Sequence, residues 1–304
     1  MDFRELVKVG AHFGHIKSRL NPKMLPYIWG IKNNVYLIDV SKTAYLINKA
    51  AKFLEGVAAE GKSILWVGTK KPASAAIKAV AEKLHMPYVN NRWIGGTLSN
   101  YSQVKKSVTK LLHYEDILSK TEKFPYYTKK ELNVFTKIVE RLKKNIGGIV
   151  DLKWPIGAVV LVDVVKELSA LKEAATVGVP VVAMVDTNGD PTLVDYVIPA
   201  NDDSVKTVKL VIDYLGDYVA KGQLLAKEAK KEAQKEEKAK SPAKPTVKKE
   251  KEKKAPAKAV VKKAEKKSED AKKETPAKAK KISEPKPKAQ AKTIQKVATK
   301  ETEK

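Results

Sequence analysis

The 304-residue chain contains no cysteine. Disulfides, thiolate metal ligands and a thiol nucleophile are therefore excluded, and a reducing compartment suits the chain. Histidine is scarce, with four residues in all. No apolar run approaches the roughly 18 residues of a membrane-spanning helix. The start, Met1-Asp2-Phe3-Arg4-Glu5, lacks the charged-then-apolar layout of a secretory signal. These absences point to a soluble intracellular protein. A last absence is local: beyond residue 226 there is no glycine, no leucine and no aromatic residue. Such a segment cannot bury enough apolar surface to offset the entropy of ordering it.

What is present is positive charge. Residues 227–304 hold 28 Lys against 13 Asp or Glu, a net of +15, and residues 1–226 carry the other +10 of the chain's +25. The composition predicts a folded basic domain over 1–226 and a disordered, Lys/Ala/Glu/Pro-rich tail over 227–304. With both halves positive, the expected partner is a large polyanion, nucleic acid before acidic protein. An anionic membrane is a weaker fit, because the tail has no aromatic or long aliphatic face to insert.

Short apolar runs read as buried parallel strands: 35–38, 64–67, 88–89, 159–162 and 181–185, with Tyr196-Val197-Ile198 as a sixth. Helical patterns alternate with most of them. Ser41 is placed to cap a helix reaching about Glu60, and Pro72 opens one reaching about His85. A third runs from Leu168 to Thr176, closed by Gly178, and a last one follows Asn201-Asp202-Asp203-Ser204. Alternation of this kind predicts a doubly wound parallel sheet. Between residues 89 and 159 lie two helical patterns and no strand. The second begins at Thr128-Lys129-Lys130-Glu131, which has capping-box spacing, and Phe124-Pro125 marks the turn between them. The expectation is a helical hairpin, about residues 99–146, that leaves the sheet layer with Lys105, Lys106 and further cations on its outer faces.

Four local features bear on function. Asp39, Asp163 and Asp186 follow strands, where ligands of open sheets bind, although capping a helix or holding a loop is the simpler role. Gly68-Thr69-Lys70-Lys71, between a strand and a helix, offers N–H groups, a hydroxyl and two ammonium groups to a phosphate, without the glycine spacing of a nucleotide fingerprint. His12 and His15 lie three residues apart, but a metal needs further ligands, and His85 and His113 sit in helical patterns. No metal is expected. With Lys17, Arg19, Asn21 and Lys23, and with Phe13, Tyr27 and Trp29 interleaved, this segment suits RNA, where cations meet phosphates and rings stack on bases. Finally, the loop Asn90-Asn91-Arg92-Trp93-Ile94-Gly95-Gly96-Thr97-Leu98 has amides, one Arg, one Trp and a glycine pair, more than a simple connection needs.

These segments resemble the bacterial small-subunit ribosomal protein S-two family. The resemblance is carried by Gly10-Ala11-His12-Phe13-Gly14-His15, Asn21-Pro22-Lys23-Met24, Val67-Gly68-Thr69-Lys70-Lys71 and Tyr88-Val89-Asn90-Asn91-Arg92-Trp93-Ile94-Gly95-Gly96-Thr97-Leu98. It continues through Gly178-Val179-Pro180, Val185-Asp186-Thr187-Asn188 and Asp195-Tyr196-Val197-Ile198-Pro199 to Asn201-Asp202-Asp203, all in family order over roughly residues 1–225. The chain departs from the family pattern after Pro155, where an Asp is common, and at Gly189. The tail has no counterpart in the short family form.

The resemblance implies a flavodoxin-like, five-stranded parallel sheet with a protruding helical hairpin. It also implies a structural, non-enzymatic role in the cytoplasmic small ribosomal subunit. There the chain would touch small-subunit rRNA at the head–body junction and help dock the S-one-type mRNA-binding protein. No cofactor, no small-molecule substrate and no membrane partner is implied. Carried over by position, the resemblance implies RNA-facing roles for Lys17, Arg19, Lys23, Lys70, Lys71, Asn90, Arg92 and Trp93, and the reading of the residues adds His12, His15, Asn21, Lys105 and Lys106. Two other classes stay open on sequence alone. A nucleotide-dependent enzyme would use Lys70 with a strand-end Asp. A packaging protein would bind DNA through its Lys-Ala-Pro tail.

Overall fold

The structure, a computed structural model, describes residues 1–121 and 127–240. The turn expected at Phe124-Pro125 and the stretch from Ser241 onward lie outside the described residues. In chain order the elements are α1 (Phe3–Lys8), β1 (Phe13–Ile16), β2 (Ile28–Lys32), β3 (Val35–Ile38), α2 (Val40–Ala59) and β4 (Ser63–Val67). Then come α3 (Lys71–Leu84), β5 (Tyr88–Val89), α4 (Tyr101–Thr121), α5 (Lys129–Ile146) and β6 (Ile156–Val162). The chain continues with α6 (Leu168–Val177), β7 (Val181–Val185), β8 (Tyr196–Pro199) and α7 (Val205–Lys240).

Five strands form a parallel sheet in the order β5-β4-β6-β7-β8. Numbered from its first strand, that is the 2-1-3-4-5 order of flavodoxin-like folds. Side chains alternate across each strand, so both faces are apolar. Ile64, Trp66, Val160, Val182 and Ile198 meet α2, α3 and α7 on one face. Leu65, Val67, Val159, Leu161 and Ala183 meet α6 and the base of the α4–α5 pair on the other. Burial on both faces explains why these strands read as continuous apolar runs.

One strand differs from expectation. Val35–Ile38 belongs to a separate three-stranded antiparallel sheet, β1-β3-β2. Four apolar residues cannot distinguish a parallel strand from an antiparallel one, and β3 pairs with neighbours from its own N-terminal segment. The α2 cap also differs. Asp39, in extended conformation, accepts from the Ser41 and Lys42 N–H groups, so it precedes the expected Ser41 cap. The capping box at Thr128–Glu131 is present, and Gly178 closes α6 in the left-handed region.

The hairpin leaves the sheet as expected. Val104, Val108 and Leu111 anchor the start of α4, and Ile146 anchors the end of α5. No described residue of α4 beyond Leu111 is buried, nor any of α5 before Ile146. In between, the helices hold each other through Tyr114 stacked on Phe135 and Tyr127 edge-on to the same ring.

The last helix runs to Lys240, so the expected domain break after Ala226 falls inside it. Lysine, alanine and glutamate are strong helix formers, and they continue a helix already nucleated on the core. Further up α7, Gly222 lets the helix approach α2 closely. A Cβ there would lie 2.3 Å from the Glu55 carbonyl oxygen and 2.8 Å from Ala58 Cβ. Gly222→Ala must therefore push the two helices apart, a destabilisation of about 1–3 kcal/mol. Urea unfolding measures it, and an unchanged midpoint would show that α2 and α7 separate freely.

Candidate functional site

The loops after the parallel strands meet beneath the small antiparallel sheet. β1 is joined to the loop after β7 by the His15 N–H, which donates to Thr187 Oγ1 at 2.8 Å. Gly14 makes the approach possible, since a Cβ there would overlap the Thr187 side chain. Asn21 N–H donates to the Thr187 carbonyl, and Asn201 N–H to the Ala11 carbonyl. The N-terminal segment is thus fastened over the ends of β7 and β8.

The crevice between β4 and β6, where the strand order reverses, is the place for a ligand in this fold. Here the protein's own carboxylates fill it. Glu167 accepts from Thr69 N–H at 2.8 Å and from Thr69 Oγ1 at 2.5 Å. Lys70 Nζ lies 2.7 Å from both Asp202 and Asp203 and 3.3 Å from Asp163. Burial opposes the Lys70 charge. Hydrogen bonds to Asp202 and Asp203, together with the attraction of Asp202 and Asp163, outweigh it and raise the Lys70 pKa. Asp202, with 1% of its side chain exposed, is pushed up to about 7 by burial and by Asp186 and Asp163, which exceed the opposing pull of Lys70. The Glu167 carboxyl is raised too, mainly by burial. Asp163 caps the following turn by accepting from Val165 and Lys166 N–H groups. Among the described residues, then, the anion-cradling donors of Thr69 and Lys70 are already satisfied.

Three of the expected RNA-facing residues turn inward in the fold. Lys70 points its ammonium inward to three carboxylates, because the loops after β6 and β8 deliver them there. His15 is largely buried, its ring between Asp186 (3.2 Å) and Asp203 (3.6 Å). The Asp186 carboxylate raises its pKa, burial opposes, and the charges of Asp186, Asp202 and Asp203 add to the rise. Trp93 is only 9% exposed. Its Nε1–H donates to Glu173, which also accepts from Gly96 and Leu98 N–H groups. The unusual content of residues 90–98 therefore wraps that loop around one carboxylate of α6.

The remaining candidates divide by position. Lys17, Arg19 and Lys23 are exposed on the N-terminal segment, with Asn21 half-buried beside them. Lys23 shares its charge with Asp190 at 2.7 Å. Half-buried His12 lies against Phe13, and burial lowers its pKa. Lys71 and Arg92 are exposed, and Asn90 is half-buried, its carbonyl accepting from Ser74 Oγ. Lys105 and Lys106 are exposed on the hairpin, as are Lys110, Lys129, Lys130, Lys137, Arg141, Lys143 and Lys144. The aromatic that does face solvent is Trp29, 75% exposed on β2, with Lys32 on the same strand and Ile31 also exposed. Its place among cations was visible in the sequence. Its exposure depends on β2 lying at the edge of the small sheet.

Three regions thus present cations: the N-terminal sheet with Trp29, the 90–92 loop, and the hairpin. No helix among the described residues is long and apolar enough to cross a membrane.

Comparison with known proteins bears on the family of the chain. Residues 6–222 match the family described as Ribosomal protein S2. The small ribosomal subunit protein uS2 of a Nitratiruptor species is 41% identical over 236 residues, which span 78% of this chain and 88% of the relative. The protein of the same name from Cytophaga hutchinsonii is 40% identical over 241 residues, or 79% and 94% of the two chains.

Proposed function

The chain belongs to the ribosomal protein S2 family, and from that premise we propose that it is a structural constituent of the cytoplasmic small ribosomal subunit, binding small-subunit rRNA at the head–body junction. The carrying observation is the exposed cationic hairpin. Its lysines and its arginine contribute little to the fold, yet they line two helices that extend from the core. Phosphate contacts from such a surface set position, and the shape of folded RNA supplies selectivity. Lys17, Arg19, Lys71, Arg92, Lys105 and Lys106 are the phosphate-facing residues of this reading, and Trp29 is the stacking one. The filled crevice favours a structural role over nucleotide chemistry, because a fold shared with nucleotide enzymes does not import their function.

The same reading includes docking of an S-one-type mRNA-binding protein. The tail would act as a basic extension that reaches neighbouring RNA and adds to the salt dependence of binding. The test is chemical footprinting of small subunits that lack the protein and of the same subunits after its addition. Protection confined to rRNA at the head–body junction, with restored capture of the S-one-type protein, is expected. Protection elsewhere, or none, would overturn the placement. Failure of capture alone would remove only the docking role.

A further inference from the structure

The parallel sheet has a second end, where β4 and β6 begin, and the segment 151–154 leads into β6 there. Leu152 of this segment is buried, but Trp154 is 48% exposed. Its ring lies on that of Tyr101, the first residue of α4, with centroids 6.3 Å apart and planes 19° from parallel. Tyr101 is fixed in turn, because its hydroxyl donates to the Leu152 carbonyl at 2.7 Å. We propose that Trp154, backed by Tyr101, is a stacking platform for an unpaired base of single-stranded RNA, whose phosphates run between the hairpin root and a basic cleft at this end of the sheet. This goes beyond the ribosomal reading, which uses neither ring.

Three observations carry the surface. The first is the ring pair. A single exposed apolar side chain is ordinary, but this one is held by a neighbour that is itself hydrogen-bonded. A ring already ordered costs little more entropy when a base stacks on it. Stacking of bases on aromatic rings tolerates any sequence, since every base has a π-face.

The second is the flanking charge. Lys153 precedes Trp154 and is exposed. Lys105, also exposed, lies four residues after Tyr101 in α4, and residues so spaced share a helix face. Cations therefore flank both members of the ring pair.

The third is the cleft. Lys153 also lines a cleft of about 540 Å³, together with Lys62, His85 and Lys227 from the ends of α2 and α3 and from α7. Asp151 is the one carboxylate among its lining residues. Lys62 shares its charge with Glu60 at 2.7 Å, which leaves Lys153 and Lys227 as the cations that meet a phosphate there.

This arrangement suits a strand rather than a duplex. Bases paired and stacked in a helix offer no free face to a ring, whereas splayed bases of a single strand do. The sequence did not reveal the platform, because Tyr101 and Trp154 lie on either side of the whole hairpin and meet only in the fold.

The test irradiates full-length protein with a 12-nucleotide RNA strand carrying 4-thiouridine and maps the crosslinked residues by mass spectrometry. Crosslinks at Trp154 or Tyr101 are expected. Excess unlabelled strand should abolish them, and an RNA duplex of equal length should not. Lys105→Glu combined with Lys153→Glu leaves both rings in place and should cut their yield roughly 10-fold. Lys206→Glu combined with Lys209→Glu, the same charge change on α7, should leave the yield unchanged. Tm checks that both variants fold. Crosslinks found only elsewhere, at Trp29 or in the tail, would overturn the proposal. Competition by the duplex equal to that by the strand would overturn it too, as would an equal loss in the α7 variant. Because the probe contains no folded small-subunit RNA, failure here leaves the ribosomal placement standing, and failure of the footprint leaves this surface standing.

Discussion

Replacing Lys70 with methionine is expected to destabilise the folded body by about 3–5 kcal/mol, the usual cost of removing one partner from a buried ion pair. Methionine keeps the length of the side chain but leaves Asp202 and Asp163 without the ammonium that faces them. Burial and the mutual repulsion of Asp163, Asp186 and Asp202 then act unopposed. A second change separates this origin from simple loss of packing. Asp202→Asn removes one of the stranded charges, so in the Lys70→Met background it should restore part of the loss, although it is destabilising alone. The double-mutant cycle isolates the coupling, with urea unfolding of the four chains as the readout. If Lys70 instead faced bound RNA phosphate, Lys70→Met would leave stability unchanged and weaken RNA binding.

The second large effect concerns RNA. Lys105, Lys106, Lys137 and Arg141 are exposed on the two helices of the hairpin. Changing all four to alanine should move stability little, since surface substitutions usually stay within about 0.5 kcal/mol. Binding to folded small-subunit RNA should suffer much more. Each cation that meets a phosphate contributes about 0.7–0.9 to the log–log salt slope. Losing four should make the slope shallower by about 3 and weaken affinity roughly 100-fold or more near 0.1 M salt. Filter binding across a salt series, with the full-length protein in both arms, measures slope and affinity together. An unchanged slope would mean that the hairpin faces solvent or protein in the bound state.

Much of the fold could be read from residues alone, for identifiable reasons. The parallel strands are buried on both faces and so appear as apolar runs, and the hairpin carries its own signals in the Thr128–Glu131 capping box and the three- and four-residue apolar steps. The small antiparallel sheet was harder. β1 and β2 mix polar, aromatic and glycine residues, and only β3 looks like a strand, so its partners could not be inferred. The break after Ala226 marks where apolar residues stop, but a helix need not stop there when Lys, Ala and Glu continue it.

The site was legible in composition and not in orientation. Lys17, Arg19 and the hairpin lysines could be chosen correctly as exposed, because nothing in a cationic, weakly apolar stretch would draw them inward. Lys70, His15 and Trp93 could not. Their partners, Asp202, Asp186 and Glu173, come from strand ends and a helix far along the chain. Long-range pairing of polar groups has no periodicity to betray it. The same limit hid Trp29, whose exposure follows from how the small sheet sits.

The most direct test of the whole assignment is sedimentation of cell lysate containing tagged full-length protein or a form ending at Lys240, through a sucrose gradient at moderate salt. Co-migration of both forms with small subunits is expected, because the fold and the cationic hairpin lie within residues 1–240. A truncated form that stays at the top of the gradient, while the full-length chain sediments, would contradict the assignment of subunit binding to the folded body.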